Sequence, residues 1–222
     1  MRFKVNEIFW SLQGEGTRAG RPCLFIRLTG CPLRCTYCDS AHAFHAGDFI
    51  ELEALLAEVQ RRLGPPQGGP EAPFVEVTGG EPLAHPDTPH LLQSLLALGH
   101  EVALETAGSH DLAPVPRAVV KLVDRKTPGS GEGHRWLEGN LAHMVPGQDE
   151  LKLVLASKDD YAWARGWCAE RRLWERFTVL FSPVWGALEP AWLAERVLED
   201  RLPVRVQLQL HKLLWGPDRQ GV

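Results

Sequence analysis

The stretch CLFIRLTGCPLRCTYCDS, residues 23–40, runs from an apolar strand pattern directly into a loop that holds Cys31, Cys35 and Cys38. Side chains alternate along a strand, so Phe25, Arg27 and Thr29 fall on one face. The loop gathers three of the chain's five cysteines at a C-x3-C-x2-C spacing beside a proline. Three thiolates that close together suit a metal. A structural zinc site would take a fourth ligand, with His42 and His45 in reach along the chain. A 4Fe–4S cluster would leave one iron without a protein ligand, open to a small molecule. Cys23 and Cys168 sit in a strand and a helix pattern and read as ordinary buried cysteines.

Working outward, strand patterns cover residues 3–10, 22–29, 74–78, 101–106, 118–124, 150–156, 177–181 and 203–210. Helical periodicity covers 51–63, where Leu52, Leu55, Leu56 and Val59 share a face, and also 89–98, 159–172 and 191–199. GPPQGGPEAP, residues 64–73, reads as a flexible break. Strands alternating with helices predict parallel βαβ units with right-handed crossovers. The chain is shorter than the ~250 residues typical of a full eightfold barrel, and the helices are too few to cover every strand. The expectation is an α/β fold: one domain over residues 1–222, built as a partial, open barrel of parallel strands. Residues 125–148, rich in Gly, Pro and His, form a connection long enough to be functional or mobile.

With 222 residues, 44% of them apolar and 23% charged, the chain is an ordinary globular protein. A net charge of −4 argues against a general nucleic-acid or membrane binder. No signal-peptide pattern or membrane-length apolar run is visible, so a reducing cytoplasm is the expected setting, where clustered cysteines more often hold metal than form disulfides.

In such folds chemistry gathers beyond the C-terminal strand ends. There the sequence places TGCPLRC, TGGEP, ETAGS, DRKTPGSG, FSPVWG and HK. In FVEVTGGEP, residues 74–82, glycines at a strand end allow close approach to backbone, and Glu81 can accept from an ammonium or hydroxyl group. Arg27 interrupts an apolar run and needs a partner, which a carboxylate would supply. Arg205, Gln207, Gln209 and His211 alternate with Val206, Leu208 and Leu210, which predicts a strand with a polar, cavity-lining face and His211 at its end.

The cysteine spacing followed by GGEP resembles the radical S-adenosylmethionine superfamily. Residues 9–40, FWSLQGEGTRAGRPCLFIRLTGCPLRCTYCDS, and the ending VQLQLHKLLWGPDRQGV are similar to the 7-carboxy-7-deazaguanine synthase family within it. The resemblance implies a 4Fe–4S cluster held by Cys31, Cys35 and Cys38, with S-adenosylmethionine chelating the open iron. Its cleavage gives a 5′-deoxyadenosyl radical that abstracts a substrate hydrogen. The family contracts 6-carboxy-5,6,7,8-tetrahydropterin to 7-carboxy-7-deazaguanine with loss of ammonia, towards queuosine.

Carried over by position, the resemblance implies substrate contacts from Leu12, Gln13, Gly14, Glu15, Thr78 and Val222, with Arg27 on the substrate carboxylate and His211 on the pterin as catalytic groups. Cofactor contacts fall on Tyr37, Cys38, Asp39, Gly79, Gly80, Glu81, Glu105, Asp124, Arg125 and Lys126, and on Ser182, Pro183, Val184 and Trp185. Ser40 stands where magnesium-using members carry threonine, and its hydroxyl can still reach Mg²⁺. A homodimer is expected, as is an electron donor such as a flavodoxin. Two rivals remain in view. A glycyl-radical activase would share the cluster loop but leave SLQGEG, Arg27 and His211 without a role. A Cys3His zinc module would need no GGEP.

Overall fold

The computed structural model describes residues 1–65 and 73–222; most of the Gly- and Pro-rich break at 64–73 lies outside the described residues. Among the described residues nine strands form one sheet. In chain order the elements are β1 (Arg2–Leu12), β2 (Pro22–Leu28), β3 (Asp48–Glu51), α1 (Leu52–Leu63), β4 (Phe74–Gly79), α2 (Thr88–Ala97), β5 (Val102–Thr106), β6 (Val120–Asp124), β7 (Glu150–Leu155), α3 (Lys158–Glu170), β8 (Thr178–Pro183), α4 (Pro190–Glu199), β9 (Arg205–Val206) and α5 (Leu210–Trp215). The sheet order is β3-β1-β2-β4-β5-β6-β7-β8-β9. From β2 through β9 neighbouring strands are parallel. β3 and β9 are opposite edges, so the barrel is open.

Two expectations need correction. The sheet is not wholly parallel, because β1 runs antiparallel to both β2 and β3. A short connection, residues 13–21, suits an antiparallel return, whereas a parallel one needs a long crossover. The strand expected over 203–210 shrinks to Arg205–Val206, and Leu210 already starts α5. β9 pairs with β8 on one side only, and both of its residues are exposed. Without a second neighbour the extended backbone soon ends: Gln207 N still donates to Phe181 O (2.9 Å), but Leu210 N donates to Gly14 O (3.0 Å).

Helices α1 to α4 cover the convex face. Leu52, Leu55 and Val59 of α1, Leu91, Leu92 and Leu95 of α2, Ala164 and Cys168 of α3 and Leu193 and Val197 of α4 share one core with Leu24, Ile26, Leu28, Val75, Val77, Leu104, Val123, Leu151, Leu153 and Phe181. Each fully buried Leu, Val or Ile contributes about 1.5–3 kcal/mol. Ser157 caps α3, its hydroxyl accepting from Asp160 N (3.1 Å). No α-helix follows β5 or β6. The opposite, concave face carries a small apolar plug of Phe9, Cys23, Phe25, Phe74, Ala103 and Val120. A bulge between Val5 and Glu7 shifts the β1 register. Phe3 and Val5 therefore join the convex core while Phe9 joins the plug and Glu7 comes opposite Arg27.

Candidate active site

The cysteine loop leaves β2 at the C-terminal strand ends. A Cβ on Gly80 would lie 2.3 Å from Gly30 O and 2.7 Å from Cys31 Cβ, and one on Gly79 would lie 2.5 Å from Leu28 O. The glycine pair thus lets the end of β4 press against the base of the loop. The approach it permits is the chain's own. From the other side the segment after β6 braces the loop: Thr36 N donates to Ser130 O (3.1 Å), Thr36 Oγ1 to Gly129 O (2.9 Å) and Arg34 N to Glu132 Oε1 (2.7 Å). The long connection at 125–148 is therefore built from short 3-10 turns that hold the cluster loop.

Cys31, Cys35 and Cys38 are all unpaired, as are buried Cys23 and Cys168. Burial pushes the Cys35 thiol up to about 11 and raises Cys31; Cys38 adds to both shifts and Cys31 to that of Cys35, while Lys126 opposes them. Three unpaired cysteines on one eight-residue loop at the strand ends suit a group that binds them as thiolates. A single zinc ion fits less well. His42 Nε2 is taken by Glu7 Oε1 (3.3 Å), and among the described residues no three His, Cys, Asp or Glu side chains converge tightly enough for one metal ion.

Glu81 is fully engaged within the protein. Oε1 accepts from Leu83 N (3.0 Å) and Thr106 Oγ1 (2.8 Å), and Oε2 from Ala107 N (2.8 Å). It clamps the ends of β4 and β5 together, although sequence reading places it on a ligand.

Above the apolar plug the concave face turns polar. Lys152 of β7 lies at the centre, bonded to Glu15 Oε2, to Glu105 Oε1 (2.5 Å) and to Asp124 Oδ2 (3.2 Å). Burial works against its charge, but Asp124, Glu105 and Glu15 hold its pKa well above the ordinary lysine range. Lys126 pairs with Asp124 (2.9 Å) and lies 5.9 Å from the Tyr37 ring. Burial would raise Asp124; Lys126 and Lys152 together bring it below its usual value. Glu76 is different: burial, with Glu105 and Glu15 adding to it, lifts its carboxyl well above the usual range. Gln13 Nε2 donates to its Oε2, and Thr78 Oγ1 donates to Glu105 Oε2 (3.4 Å). Glu76 Oε1, Asp124 Oδ1, Ser182 Oγ and Gln207 Nε2 are buried without a hydrogen-bond partner. Buried polar atoms without partners on one concave face mark where a polar ligand fits.

The turn at 13–15 crosses beneath this belt. Glu15 N donates to Gln13 Oε1 (3.0 Å), and Gln209 Nε2 donates to Glu15 Oε1 (2.6 Å) and Asp39 Oδ2 (3.2 Å). Gly16 N donates to Gln207 Oε1 (2.7 Å). A Cβ on Gly14 would lie 2.7 Å from His211 Nδ1, so the missing side chain is what admits the imidazole. His211 thus reaches the turn from the first residues of a helix. Burial lowers its pKa, which favours the neutral ring. The next residue, Lys212, pairs with Asp39 Oδ2 (2.8 Å). Burial would raise Asp39, yet Lys212 and Gln209 hold it well below the carboxylate range.

Other expected residues are placed less uniformly. Arg27 does find a carboxylate, but it is Glu7, with Nε 2.7 Å from Oε1 and the guanidinium 5.5 Å from the Phe9 ring centre. A Cβ on Gly221 would lie 3.8 Å from Glu7 Oε2, which brings the chain end at Val222 to the same corner. Tyr37 donates to Val154 O (3.3 Å). Ser40 donates to Asp39 Oδ1 (3.1 Å). Leu12 closes β1 opposite Pro22. Pro183 ends β8, Val184 N donates to Leu155 O (2.9 Å) and Trp185 is exposed. Arg125 parts company with Asp124 and Lys126: its guanidinium packs 4.9–5.2 Å from Trp136, Trp163 and Trp167 and donates to Gly133 O (2.8 Å). Glu7, Glu76 and Lys152 escaped sequence reading. For Glu76 and Lys152 the signal was available, since a charge inside a buried strand needs a partner as Arg27 does.

The profile of the radical SAM superfamily matches residues 25–126, the part that carries the cysteine loop, GGEP and the Asp124–Lys126 segment. The full-length relatives agree with that class. Across its length the chain is 42% identical to the 7-carboxy-7-deazaguanine synthase of Chlorobaculum tepidum, covering 98% of this chain and 96% of that one. It is 41% identical to that of Koribacter versatilis, covering 99% and 100%. It also resembles the crystal structure of QueE from Escherichia coli, with TM-score 0.77, 26% identity and 95% of each chain covered. The chain belongs to the 7-carboxy-7-deazaguanine synthase family. Streptococcus suis SuiB bound to S-adenosylmethionine shares the fold alone, at TM-score 0.53 and 11% identity over 83% of this chain and 50% of that one.

Proposed function

We propose that the chain, as one domain over residues 1–222, contracts the ring of 6-carboxy-5,6,7,8-tetrahydropterin to 7-carboxy-7-deazaguanine with release of ammonia, on the route towards queuosine. The observation that carries the reading is the polar cup beneath the cysteine loop, where Glu76, Asp124, Ser182 and Gln207 each keep a buried polar atom without a partner. When bound, the cluster and S-adenosylmethionine supply the radical that takes a hydrogen atom from the substrate.

The chain's residues do the rest. Cys31, Cys35 and Cys38 hold the cluster, with Gly79 and Gly80 letting β4 close against their loop. Tyr37, Asp39, Glu105, Asp124, Lys126, Ser182, Pro183, Val184 and Trp185 form the cofactor side, and Glu81 and Arg125 support it from behind. Leu12, Gln13, Gly14, Glu15 and Thr78 form the heterocycle side. There Glu15 offers acceptor oxygens to ring N–H groups. Glu76, if it keeps its proton, offers an O–H. Arg27 presents its Nη atoms to the substrate carboxylate while Glu7 fixes its Nε, and Val222 completes that corner. His211, favoured as the neutral ring, can take a proton at Nδ1 or Nε2 from the heterocycle.

Ser40 and Asp39 offer two oxygens to Mg²⁺, too few for an octahedral ion without substrate and water ligands, and no step here depends on it. An electron donor such as a flavodoxin would approach exposed Cys38. A homodimer would cover Leu213, Leu214 and Trp215, which α5 leaves exposed. Among the described residues no helix is long and apolar enough to cross a membrane. A cytoplasmic setting suits the unpaired thiols. The test is anaerobic incubation of reconstituted protein with 6-carboxytetrahydropterin, S-adenosylmethionine and dithionite, read by mass spectrometry. The expected product is 7-carboxy-7-deazaguanine with one ammonia released, formed only when S-adenosylmethionine and reductant are both present. Deoxyadenosine without the deazapurine overturns the substrate assignment.

A further inference from the structure

Two groups of carboxylates in the cup share one cation. Lys152 Nζ reaches Glu15 from the turn before β2, Glu105 from β5 and Asp124 from β6. The remaining contacts of these carboxylates reach both halves of the site. Glu15 Oε1 accepts from Gln209, two residues before His211. Glu105 Oε2 accepts from Thr78, and Asp124 keeps Lys126 on Oδ2 and a buried, partnerless Oδ1. Glu15, Thr78 and His211 belong to the heterocycle side, and Glu105, Asp124 and Lys126 to the cofactor side. Lys152 itself lies beneath both, with its side chain 3% exposed.

We propose that Lys152 is a positioning residue that couples the two subsites, making heterocycle binding and S-adenosylmethionine binding mutually favourable. The argument is one of shared order. The ammonium cannot be fixed against Glu15 without also being fixed against Glu105 and Asp124. The first ligand to enter therefore orders carboxylates that the second ligand uses, and the second loses less freedom on binding. A merely structural ion cluster would contribute to folding and leave the two affinities independent. The inference rests on the proposed function for the identity of the two ligands.

The test is calorimetric titration of S-adenosylmethionine into anaerobically reconstituted protein, without reductant so that nothing turns over, with and without saturating 6-carboxytetrahydropterin. In the parent protein the pterin should tighten cofactor binding at least about fivefold, the lower end of ordinary coupling. In Lys152→Met the factor should fall below about twofold, and Lys152→Arg, which keeps the charge, should restore much of it. A second readout separates positioning from packing. In Lys152→Met, Glu15, Glu105 and Asp124 face one another with Lys126 as the adjacent cation. Glu76 of β4, Glu150 of β7, Asp39 of the cluster loop and His211 and Lys212 of α5 complete the charged and titratable surroundings. One carboxylate should then take up a proton near neutrality, so pterin binding should depend on pH between about 6 and 8 more steeply than in the parent.

If Lys152→Met fails to fold or to hold iron, Glu15→Gln carries the test, because it cuts the link while leaving Lys152 paired to Glu105 and Asp124; it too should lower the coupling. A parent protein without coupling overturns the proposal. So do parental coupling and a parental pH profile in Lys152→Met or, where that variant fails, parental coupling in Glu15→Gln. Failure of the parent to make the deazapurine would remove the functional reading separately, since coupling is measured by binding alone.

Discussion

The two faces of β4 are both buried and chemically opposite. Val75 and Val77 enter the convex core beneath the helices, while Phe74, Glu76 and Thr78 look into the cup, where only Phe74 joins the apolar plug. The same contrast holds on β7, where Leu151, Leu153 and Leu155 pack outward and Glu150 and Lys152 inward. Burial alone therefore does not distinguish core from site. A charged group taken from water costs several kcal/mol unless paired, and the cup pairs Lys152 three ways yet leaves Glu76 and Asp124 with unmatched oxygens. The convex face is organised for stability. The concave face gives up stability to keep polar atoms available, as functional sites commonly do.

The cysteines break this comparison most sharply, because they lie on neither face alone. Cys31→Ala, Cys35→Ala and Cys38→Ala should each abolish iron binding and turnover. Cys168→Ala on the convex side and Cys23→Ala in the plug should keep both. Iron content and visible absorbance after anaerobic reconstitution decide it. Iron lost from the Cys23 or Cys168 variant, and kept in the loop variants, reverses the assignment.

Arg27 sharpens the comparison at the rim. Losing one partner of a buried charged pair typically costs about 3–5 kcal/mol, roughly a hundredfold or more in binding. Arg27→Ala should therefore keep its iron but lose carboxypterin turnover on that scale, and should discriminate less against a tetrahydropterin lacking the 6-carboxylate. Parental kcat/KM in this variant would place the carboxylate elsewhere. Between the faces themselves, Leu104→Ala should lower unfolding free energy by about 2–5 kcal/mol in a urea titration. Glu76→Leu should leave stability equal or higher while kcat/KM falls. A Glu76→Leu protein as unstable as Leu104→Ala would mean that the cup is held together like a core.

Much of this was legible in the sequence for a local reason. The cysteine loop spans eight residues and sits against a strand end, so its spacing is readable locally, although only with GGEP does it favour a cluster over zinc. GGEP is equally local, although its glycines turned out to serve the approach of β4 to Gly30. What was not legible depends on distance and neighbours. β3 has the sequence DFIE, with no apolar run, and forms only because β1 lies beside it. Residues 205–211 alternate like a strand, yet the edge position of β9 lets them turn into α5. Lys152 and Glu76 each stood as one charge in an apolar run. Their partners Glu15 and Gln13 lie 137 and 63 residues away, beyond any periodicity. Arg125 stands between Asp124 and Lys126 in the sequence, but a one-residue step along the chain points it to the other side, among tryptophans.

The smallest effect tests one titrating group on the convex side. His100 lies just before β5, buried to 6% exposure, with Nε2 lacking a partner. Burial lowers its pKa from the ordinary histidine value. Because the folded-state pKa lies below that of the unfolded chain, near 6.5, folding favours the neutral ring. Its stabilising contribution is complete above about pH 6.5 and is lost as the pH falls towards the folded value. His100→Gln removes that titration and keeps a polar side chain. Urea midpoints at pH 7.5 and 5.5 should therefore differ less for the variant than for the parent, while the remaining histidines and carboxylates contribute equally to both. Since His100 lies at the N-terminal end of β5, away from Glu105 and Thr106, iron content should not change. Equal pH sensitivity in parent and variant would show that the ring is already solvated and that His100 does not contribute to acid lability.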